Sequence, residues 1–268
     1  MIGKLKNCLK NSPLLFKPLN QGTRVPFLAK NKIWPFTTQF RIKQAKFFSE
    51  DKLNLYDMRK DYKSEQLTLS SLQDNPISQF RTWFSASLEK EAGVEPNMMT
   101  IATCDPTTLL PSSRNVLLKS VDDLGFTFFT NYNSRKGREL ALNPKISAVF
   151  YWPVQNRSVR IEGTAERLTD AENDEYFHSR PLRSRISAVV SPQSEAIDEE
   201  KKGEMADEIE RIEGDVGEGI ERGSGWGGYR ILPTAMEFWQ GRESRFHDRF
   251  RYSWDAQKGV WEIEMLAP

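Results

Sequence analysis

The chain has 268 residues, of which 38% are hydrophobic and 28% are charged, and its formal net charge is +1. This length and composition suit a globular protein with a sizeable core, and no apolar run approaches the ~20 residues that a membrane-spanning helix needs. Two cysteines and two histidines are too few for a disulfide framework, a structural zinc site or a multi-histidine metal centre, so we expect no metal. Any catalysis must therefore use a bound cofactor or the other polar side chains.

The charge is distributed unevenly along the chain. Residues 1–50 contain ten basic residues and one acid, whereas the other 218 residues contain 28 basic and 36 acidic ones. An acid-poor, basic segment is typical of a mitochondrial transit sequence, and its four prolines exclude one continuous helix. We predict a disordered leader over 1–50, a folded domain over 55–268, and a mitochondrial protein, or otherwise a cytoplasmic one. The acidic balance of the domain argues against a nucleic-acid partner.

The predicted elements begin with a helix. It starts at Asn75-Pro76, because proline is favoured at the first helical position, and it ends by Gly93. Its apolar residues recur at helical spacing from Ile77 to Leu88.

Short β-rich segments separated by turn residues follow. We predict strands over 99–103, 115–121, 126–131, 146–152, 158–168, 227–232, 235–240, 250–254 and 260–264, with a hairpin loop over 122–125. Three helices interrupt the series, over 134–142, 169–178 and 195–213; the second opens with a Thr169–Glu172 capping box and the third is charged enough to lie on the surface. This order predicts a mainly β protein with flanking helices and a closed antiparallel barrel, without a dinucleotide-binding βαβ unit.

Cationic side chains flank the predicted strand ends in two places. Arg114 and Lys119 bracket an apolar strand, and Ser134-Arg135-Lys136 opens a helix directly after another strand. Free N–H groups at a helix start add to such charges, so the second place can bind an anion, although a solvated basic cap is the alternative interpretation.

Two further clusters can contact a ligand, and the second of them indicates an anion site. Tyr176 and Arg180 lie four residues apart on a helix and can contact one ligand, whereas His178 faces elsewhere and is interpreted as a hydrogen-bonded core histidine. If the later segment is extended, Arg245, His247 and Arg249 share one face, and three such groups favour a phosphate ligand.

These clusters, in this order and spacing, resemble the pyridoxine 5'-phosphate oxidase family. The resemblance runs from about Met58 to the end of the chain and includes the segments 58–62, 114–119, 128–136, 176–181, 190–194, 226–229, 237–241, 247–249 and 266–268. It implies an FMN-binding split β-barrel of Greek-key type, assembled as a homodimer with two flavin sites at the subunit interface.

The resemblance also implies which residues bind FMN. They are Arg114, Asn115, Val116, Leu117, Leu118, Lys119, Phe129, Thr130, Arg135, Lys136, Ser158, Gln193, Ser194, Trp239 and Arg249. The vitamin phosphate would be held by Lys119, Tyr176, Arg180 and Ser184, with Arg59, Lys60, Asp61 and Tyr62 covering the site. Arg245, Phe246 and His247 would lie over the pyridine ring, with Arg245 and His247 as the catalytic pair acting through orientation and charge.

The implied reaction is the oxidation of pyridoxine 5'-phosphate or pyridoxamine 5'-phosphate to pyridoxal 5'-phosphate, with O2 reduced to hydrogen peroxide. Four residues depart from the family pattern: Ser158 replaces a glutamine that reaches the flavin, and Arg185, Ser187 and Phe246 replace Gln, Gly and Leu. Two alternatives therefore stay open, a pyridoxal 5'-phosphate carrier without turnover and a split-barrel flavin reductase with another substrate.

Overall fold

A computed structural model describes residues 55–56, 58, 61–91, 93–216 and 219–268. The predicted leader over 1–50 and the predicted site residues Arg59 and Lys60 lie outside the described residues. Within the described ranges, no helix is both long and apolar enough to cross a membrane.

In the part of the chain that the structure describes, nine antiparallel strands form one curled sheet. The strands are β1 (Met98–Cys104), β2 (Pro111–Leu117), β3 (Ser120–Val121), β4 (Phe126–Asn131), β5 (Lys145–Trp152), β6 (Arg157–Arg167), β7 (Trp226–Gln240), β8 (Asp248–Asp255) and β9 (Val260–Met265). The hydrogen-bonded order is β2-β1-β5-β6-β7-β4-β3, and β8 joins β7 to β9. The mainly β prediction is confirmed, but the expected closed barrel is a curled sheet whose hydrogen-bonded path runs from β2 to β3.

The longest strand, β7, differs from its prediction as two strands over 227–232 and 235–240. Pro233 suggested a break, since proline cannot donate to a ladder. The strand passes through it because β7 has a bulge there: Glu162 pairs with Ala235 and Gly163 with Pro233, which leaves Thr234 of β7 as the extra residue. The first half of β7 pairs with β4 and the second half with β8.

The predicted strand over 115–121 is also different in the structure. Its first part belongs to a strand that begins four residues earlier, at Pro111, and pairs with β1 over its full length. After Leu117 the chain changes neighbours, since the Leu118 N–H donates to the Asn97 carbonyl and the Lys119 N–H donates to the Thr127 carbonyl. The segment therefore divides into β2 and the short β3.

Among the described residues, five α-helices flank the sheet: α1 (Pro76–Lys90), α2 (Arg135–Leu142), α3 (Asp170–Ser179), α4 (Leu182–Val190) and α5 (Glu199–Val216). The side chain of Asn75 caps α1 by accepting from the Ile77 N–H at 2.8 Å. Fully buried Phe80 then packs edge-on against Phe126, with ring centroids 4.8 Å apart. This aromatic contact fixes α1 on the sheet and forms the centre of the main core.

A second, smaller core lies under α3, α4 and α5. It contains buried Phe177, Ile186, Ile220 and Trp226, with Ile209 and Ile212 of α5 packed against it. The predicted Thr169–Glu172 capping box is confirmed at the start of α3, while α4 was not predicted. His178, expected in the core, is exposed instead and contacts the Asp174 carbonyl through Nδ1 at 2.8 Å.

Substitution by alanine is expected to have opposite effects at two helical glycines. A Cβ added to Gly137 of α2 would lie 2.2 Å from the Tyr132 carbonyl oxygen, whereas a Cβ added to Gly203 of α5 would meet nothing within 4 Å. We expect Gly137→Ala to destabilise the fold by about 1–3 kcal/mol through overpacking. Gly203→Ala is expected to stabilise it by up to ~1 kcal/mol through helix propensity. Chemical denaturation of both variants measures this, and a Gly137→Ala as stable as the parent would contradict it.

Candidate functional site

A cavity of about 860 Å3 opens between β2, β4, α3 and α4. Eleven of the predicted site residues line it: Asn115, Val116, Leu117, Lys119, Phe129, Thr130, Lys136, Tyr176, Arg180, Ser184 and Gln193. Arg183, which the sequence did not indicate, adds a fourth cation to Lys119, Lys136 and Arg180. Of the described residues that line the cavity, none is acidic, so the cavity is suited to an anionic ligand.

Lys136 is the buried cation of this cavity. Its Nζ donates to the Thr130 hydroxyl at 3.1 Å, to the Gln193 side-chain oxygen at 3.1 Å and to the Ser134 hydroxyl at 3.3 Å. Burial, and secondarily the charge of Arg114, lower the pKa of Lys136 to about 8. All three hydrogen-bond acceptors are neutral, so an anion would stabilise the charged form.

Flat aromatic rings form one wall of the cavity. Phe129 stacks on Tyr176 with centroids 3.9 Å apart, and on Trp226 at 5.3 Å. The guanidinium of Arg180 lies 4.8 Å from the centre of the Trp226 ring. Its Nη1 is buried and has no hydrogen-bond partner among the described residues. A buried N–H group without an acceptor is costly, so this nitrogen fits a ligand oxygen.

The residues of this cavity fit the group that the resemblance implies. FMN carries a phosphate and a planar ring system, and so do the vitamin phosphates that the resemblance implies as substrates. The described lining of the cavity contains no carboxylate and includes the cations Lys119, Lys136 and Arg180, and with stacked aromatic rings it provides donors and flat surfaces for such ligands.

Arg114 and Arg135 do not line the cavity but converge on a carboxylate. Arg114 Nη2 lies 3.4 Å from Glu139 Oε2, and Arg135 Nε lies 2.8 Å from Glu139 Oε1. Glu139 is buried and also accepts from the Thr103 hydroxyl. Burial alone would raise the pKa of Glu139, but the Thr103 hydrogen bond and the two arginines lower it overall. The predicted FMN contacts of Arg114 and Arg135 stay predictions, and Glu139 is the partner that the sequence did not reveal.

A second group of predicted residues surrounds the end of β7. The His247 ring lies 4.7 Å from Trp239 and 5.7 Å from Tyr62, and Tyr62 meets Trp239 edge-on at 5.8 Å. Ser158 lies near Trp239 in a cavity of about 320 Å3, where its hydroxyl donates to the Phe150 carbonyl at 3.0 Å. The Ser158 hydroxyl therefore donates within the sheet, whereas the glutamine that it replaces is long enough to reach a ligand.

The predicted extended face of Arg245, His247 and Arg249 is wrong for its first part. A 3-10 turn spans Glu243–Arg245, Ser244 and Arg245 both have left-handed φ, and β8 begins only at Asp248. Arg249 is already neutralised, since its Nε donates to Glu237 at 2.8 Å. The loop projects exposed Arg245 and Phe246, so these side chains are accessible to a ligand.

Besides Arg114 and Arg135, three predicted residues lie outside both groups. Leu118 is buried in the main core and does not line the large cavity. Ser194 is exposed with a left-handed φ of 75°, next to Gln193, and Asp61 is exposed beside Tyr62. Their predicted ligand contacts stay predictions.

The two groups are separated along one strand. Trp226 begins β7 in the large cavity and Trp239 lies near its other end. At about 3.3 Å per residue, the strand between them is roughly 40 Å long when measured along its curled path. Tyr62, Trp239 and His247 are not among the described residues that line the large cavity.

The curled antiparallel sheet places this protein among the split-barrel proteins. It matches PhzG from Burkholderia lata 383, solved in complex with tetrahydrophenazine-1-carboxylic acid, with a TM-score of 0.69 and 29% identity over 76% of this chain and 99% of that one. A pyridoxamine 5'-phosphate oxidase-related, FMN binding protein from Nostoc punctiforme PCC 73102 shares the fold, with a TM-score of 0.56 and 16% identity over 74% of this chain and 99% of that one.

Sequence comparison identifies the family. Residues 88–214 match the family "Pyridoxamine 5'-phosphate oxidase", and residues 226–268 match the "Pyridoxine 5'-phosphate oxidase C-terminal dimerisation region". Proteins named pyridoxine/pyridoxamine 5'-phosphate oxidase from Salinibacter ruber and Thermosynechococcus vestitus are 45% and 49% identical to it, over 80% and 79% of this chain and 99% and 98% of their own lengths. The chain belongs to the pyridoxine/pyridoxamine 5'-phosphate oxidase family, as the sequence predicted. Both relatives are bacterial and give no support to a mitochondrial destination, which stays a prediction.

Proposed function

We propose that this protein is an FMN-dependent oxidase that converts pyridoxine 5'-phosphate and pyridoxamine 5'-phosphate to pyridoxal 5'-phosphate. The alcohol loses two electrons and two protons, which reduce O2 to hydrogen peroxide; the amine reacts likewise with water and releases ammonia. The observation that carries the proposal is the cavity whose described lining has no carboxylate, together with the buried Nη1 of Arg180, which has no hydrogen-bond partner among the described residues. The names of relatives at 45–49% identity support it.

The chain's own residues would bind and orient the cofactor. Lys136 and the Ser134 cap at the start of α2 provide a cation and a helix N-terminus for the FMN phosphate. Asn115, Val116 and Leu117 of β2 line the cavity beside them. When bound, FMN supplies the two-electron acceptor for the hydride from the 4'-carbon, and O2 reoxidises it.

A second set of residues would hold the substrate phosphate. Tyr176 and Arg180 project from the end of α3, Ser184 from the first turn of α4, and Lys119 from the chain that follows β2. Their donors face one cavity, and a phosphate dianion can accept from all of them. This anchoring fixes the pyridine ring relative to the flavin, so its main contribution is orientation.

We also propose that the active enzyme is a homodimer. The large cavity and the Tyr62–Trp239–His247 group are separated by roughly 40 Å of strand, measured along the curled path of β7. A partner placed across a two-fold axis can bring its own His247 group to this cavity, and the reciprocal contact completes the second site. The match of residues 226–268 to a dimerisation region supports this arrangement.

The test uses the purified full-length chain. We expect a flavin absorption spectrum, and aldehyde and hydrogen peroxide formed in equal amounts from pyridoxine 5'-phosphate in air. Unphosphorylated pyridoxine is the matched control and should react far more slowly, because it lacks the anchored group. Bound flavin without turnover of either phosphate would indicate a reductase with another substrate. Absence of flavin after addition of FMN would indicate a vitamin-phosphate carrier.

A further inference from the structure

Arg242 lies between β7 and the Glu243–Arg245 turn and is absent from the residues that the sequence indicated. It is partly buried, with 31% of its side chain exposed. Its main chain and its side chain make contacts in different directions, one to His247 and the other to residues 61–67. We call residues 61–67 the strap.

The main chain of Arg242 contacts His247. The Arg242 N–H donates to His247 Nδ1 at 3.1 Å. A ring nitrogen that accepts cannot carry a proton, so the proton of neutral His247 is on Nε2. Burial, and then the nearby Arg245, lower the pKa of His247, although Asp248 opposes them. The neutral ring therefore presents Nε2–H as a hydrogen-bond donor.

The side chain of Arg242 contacts the strap. Its Nη1 donates to the Ser64 carbonyl, and its Nε lies 3.6 Å from Asp248 Oδ2. The same Asp248 oxygen accepts from the buried Leu67 N–H at 2.9 Å. Arg242 and Asp248 thus hold two backbone groups of the strap.

The strap carries Tyr62, whose ring contacts both His247 and Trp239. Gly241 lies directly beneath it: an added Cβ would be 2.9 Å from Tyr62 Cγ. Displacement of the strap would therefore move the ring that packs against His247. Arg242 therefore determines which nitrogen of His247 carries the proton, and it also positions Tyr62 beside that ring.

We propose that Arg242 is a positioning residue: its amide makes His247 a hydrogen-bond donor to the bound substrate, and its guanidinium holds the strap against that histidine. The donor role rests on the proposed oxidase function, whereas the two contacts do not. A donor at Nε2 would bind an oxygen of the substrate, and it would not accept a proton from it.

The first experiment is nitrogen-detected NMR of the two histidine side chains in the full-length protein without substrate. The chain contains only His178 and His247, which makes assignment simple. His178 is an internal control, because its Nδ1 faces the Asp174 carbonyl and must donate to it. We expect the Nδ1–H form for His178 and the Nε2–H form for His247. An Nδ1–H form or a protonated ring at His247 at neutral pH would overturn the proposal.

The second experiment compares Arg242→Ala, Arg242→Lys and Arg251→Ala. Arg251 is a matched control, since it is similarly exposed and lies on β8. In Arg242→Ala we expect faster amide hydrogen exchange over 61–67 and about a tenfold lower kcat/KM at unchanged FMN content, the effect of losing a hydrogen bond from a charged donor. Lysine should restore most of both losses, because it can still donate to Ser64.

Two results would overturn this part of the inference. Exchange over the strap that is equal in Arg242→Ala and Arg251→Ala would show that the guanidinium does not hold it. Faster exchange with unchanged kcat/KM would show that the strap does not position the reacting groups. If the unsubstituted protein oxidises neither vitamin phosphate, the proposed function fails, while exchange and the histidine NMR still test the two contacts.

Discussion

Replacement of Arg180 by alanine is expected to raise the KM for pyridoxine 5'-phosphate about 100-fold and to leave the FMN content unchanged. The guanidinium lies over Trp226 and has a buried nitrogen without a partner, so it is held ready for a phosphate oxygen. A hydrogen bond to a charged group contributes about 1.5–3 kcal/mol, and each 1.4 kcal/mol corresponds to a factor of ten. Steady-state formation of hydrogen peroxide by Arg180→Ala measures the effect.

Two variants make this result interpretable. Arg180→Lys keeps the charge but loses the paired donors of the guanidinium, so its KM should fall between those of the parent and of Arg180→Ala. Arg81→Ala removes an arginine of α1 that pairs with exposed Asp123 and does not line the cavity, and it should not change the KM. An unchanged KM in Arg180→Ala would remove this residue from the substrate site.

Replacement of Lys136 by methionine is expected to weaken FMN binding about 10- to 100-fold at pH 7. It is also expected to abolish the decrease in FMN affinity above pH 8. The charged form of Lys136 attracts the phosphate, and its pKa in the free protein is about 8. Below that pH the ammonium is present and binding is tight. As the pH rises through 8 the free protein loses the charge, so the affinity should decrease. Flavin fluorescence titration between pH 6.5 and 9.5 gives both quantities.

Lys136→Arg is the control for this experiment. Arginine keeps its charge throughout the range, so its affinity for FMN should stay level between pH 7 and 9.5. A parental affinity that does not change across pH 8 would contradict the role of Lys136, as would Lys136→Met with parental affinity.

Much of the fold was predictable because local signals and burial agree. The Asn75 cap with Pro76 fixed the start of α1, and the Thr169–Glu172 capping box fixed that of α3. The errors arose where a distant partner decides the outcome. Pro233 indicates a break in β7 unless its register with β6 is known, which places a bulge at Thr234 beside the proline. Helix α4 has no side-chain cap hydrogen bond at Pro181, so local sequence did not indicate its start.

The candidate site was predictable where cations lie beside strand ends. Lys119 and Lys136 were indicated in this way, and Arg180 by its place on one helix face with Tyr176; all three line the cavity. Glu139 was not, because its contacts with Arg114 and Thr103 join residues distant in the sequence. The turn before His247 was not predictable either, since Ser244 and Arg245 adopt a left-handed φ that is uncommon for residues other than glycine.

The length of β7 has a consequence for how this protein can vary. In the proposed dimer, the strand fixes the spacing between a cavity in one subunit and the His247 group that its own chain supplies to the other site. A deletion of one residue within Trp226–Gln240 would turn the following side chains to the opposite face and shift both sites at once. We therefore expect insertions and deletions in the loops between elements, whereas the number of residues in β7 should stay constant.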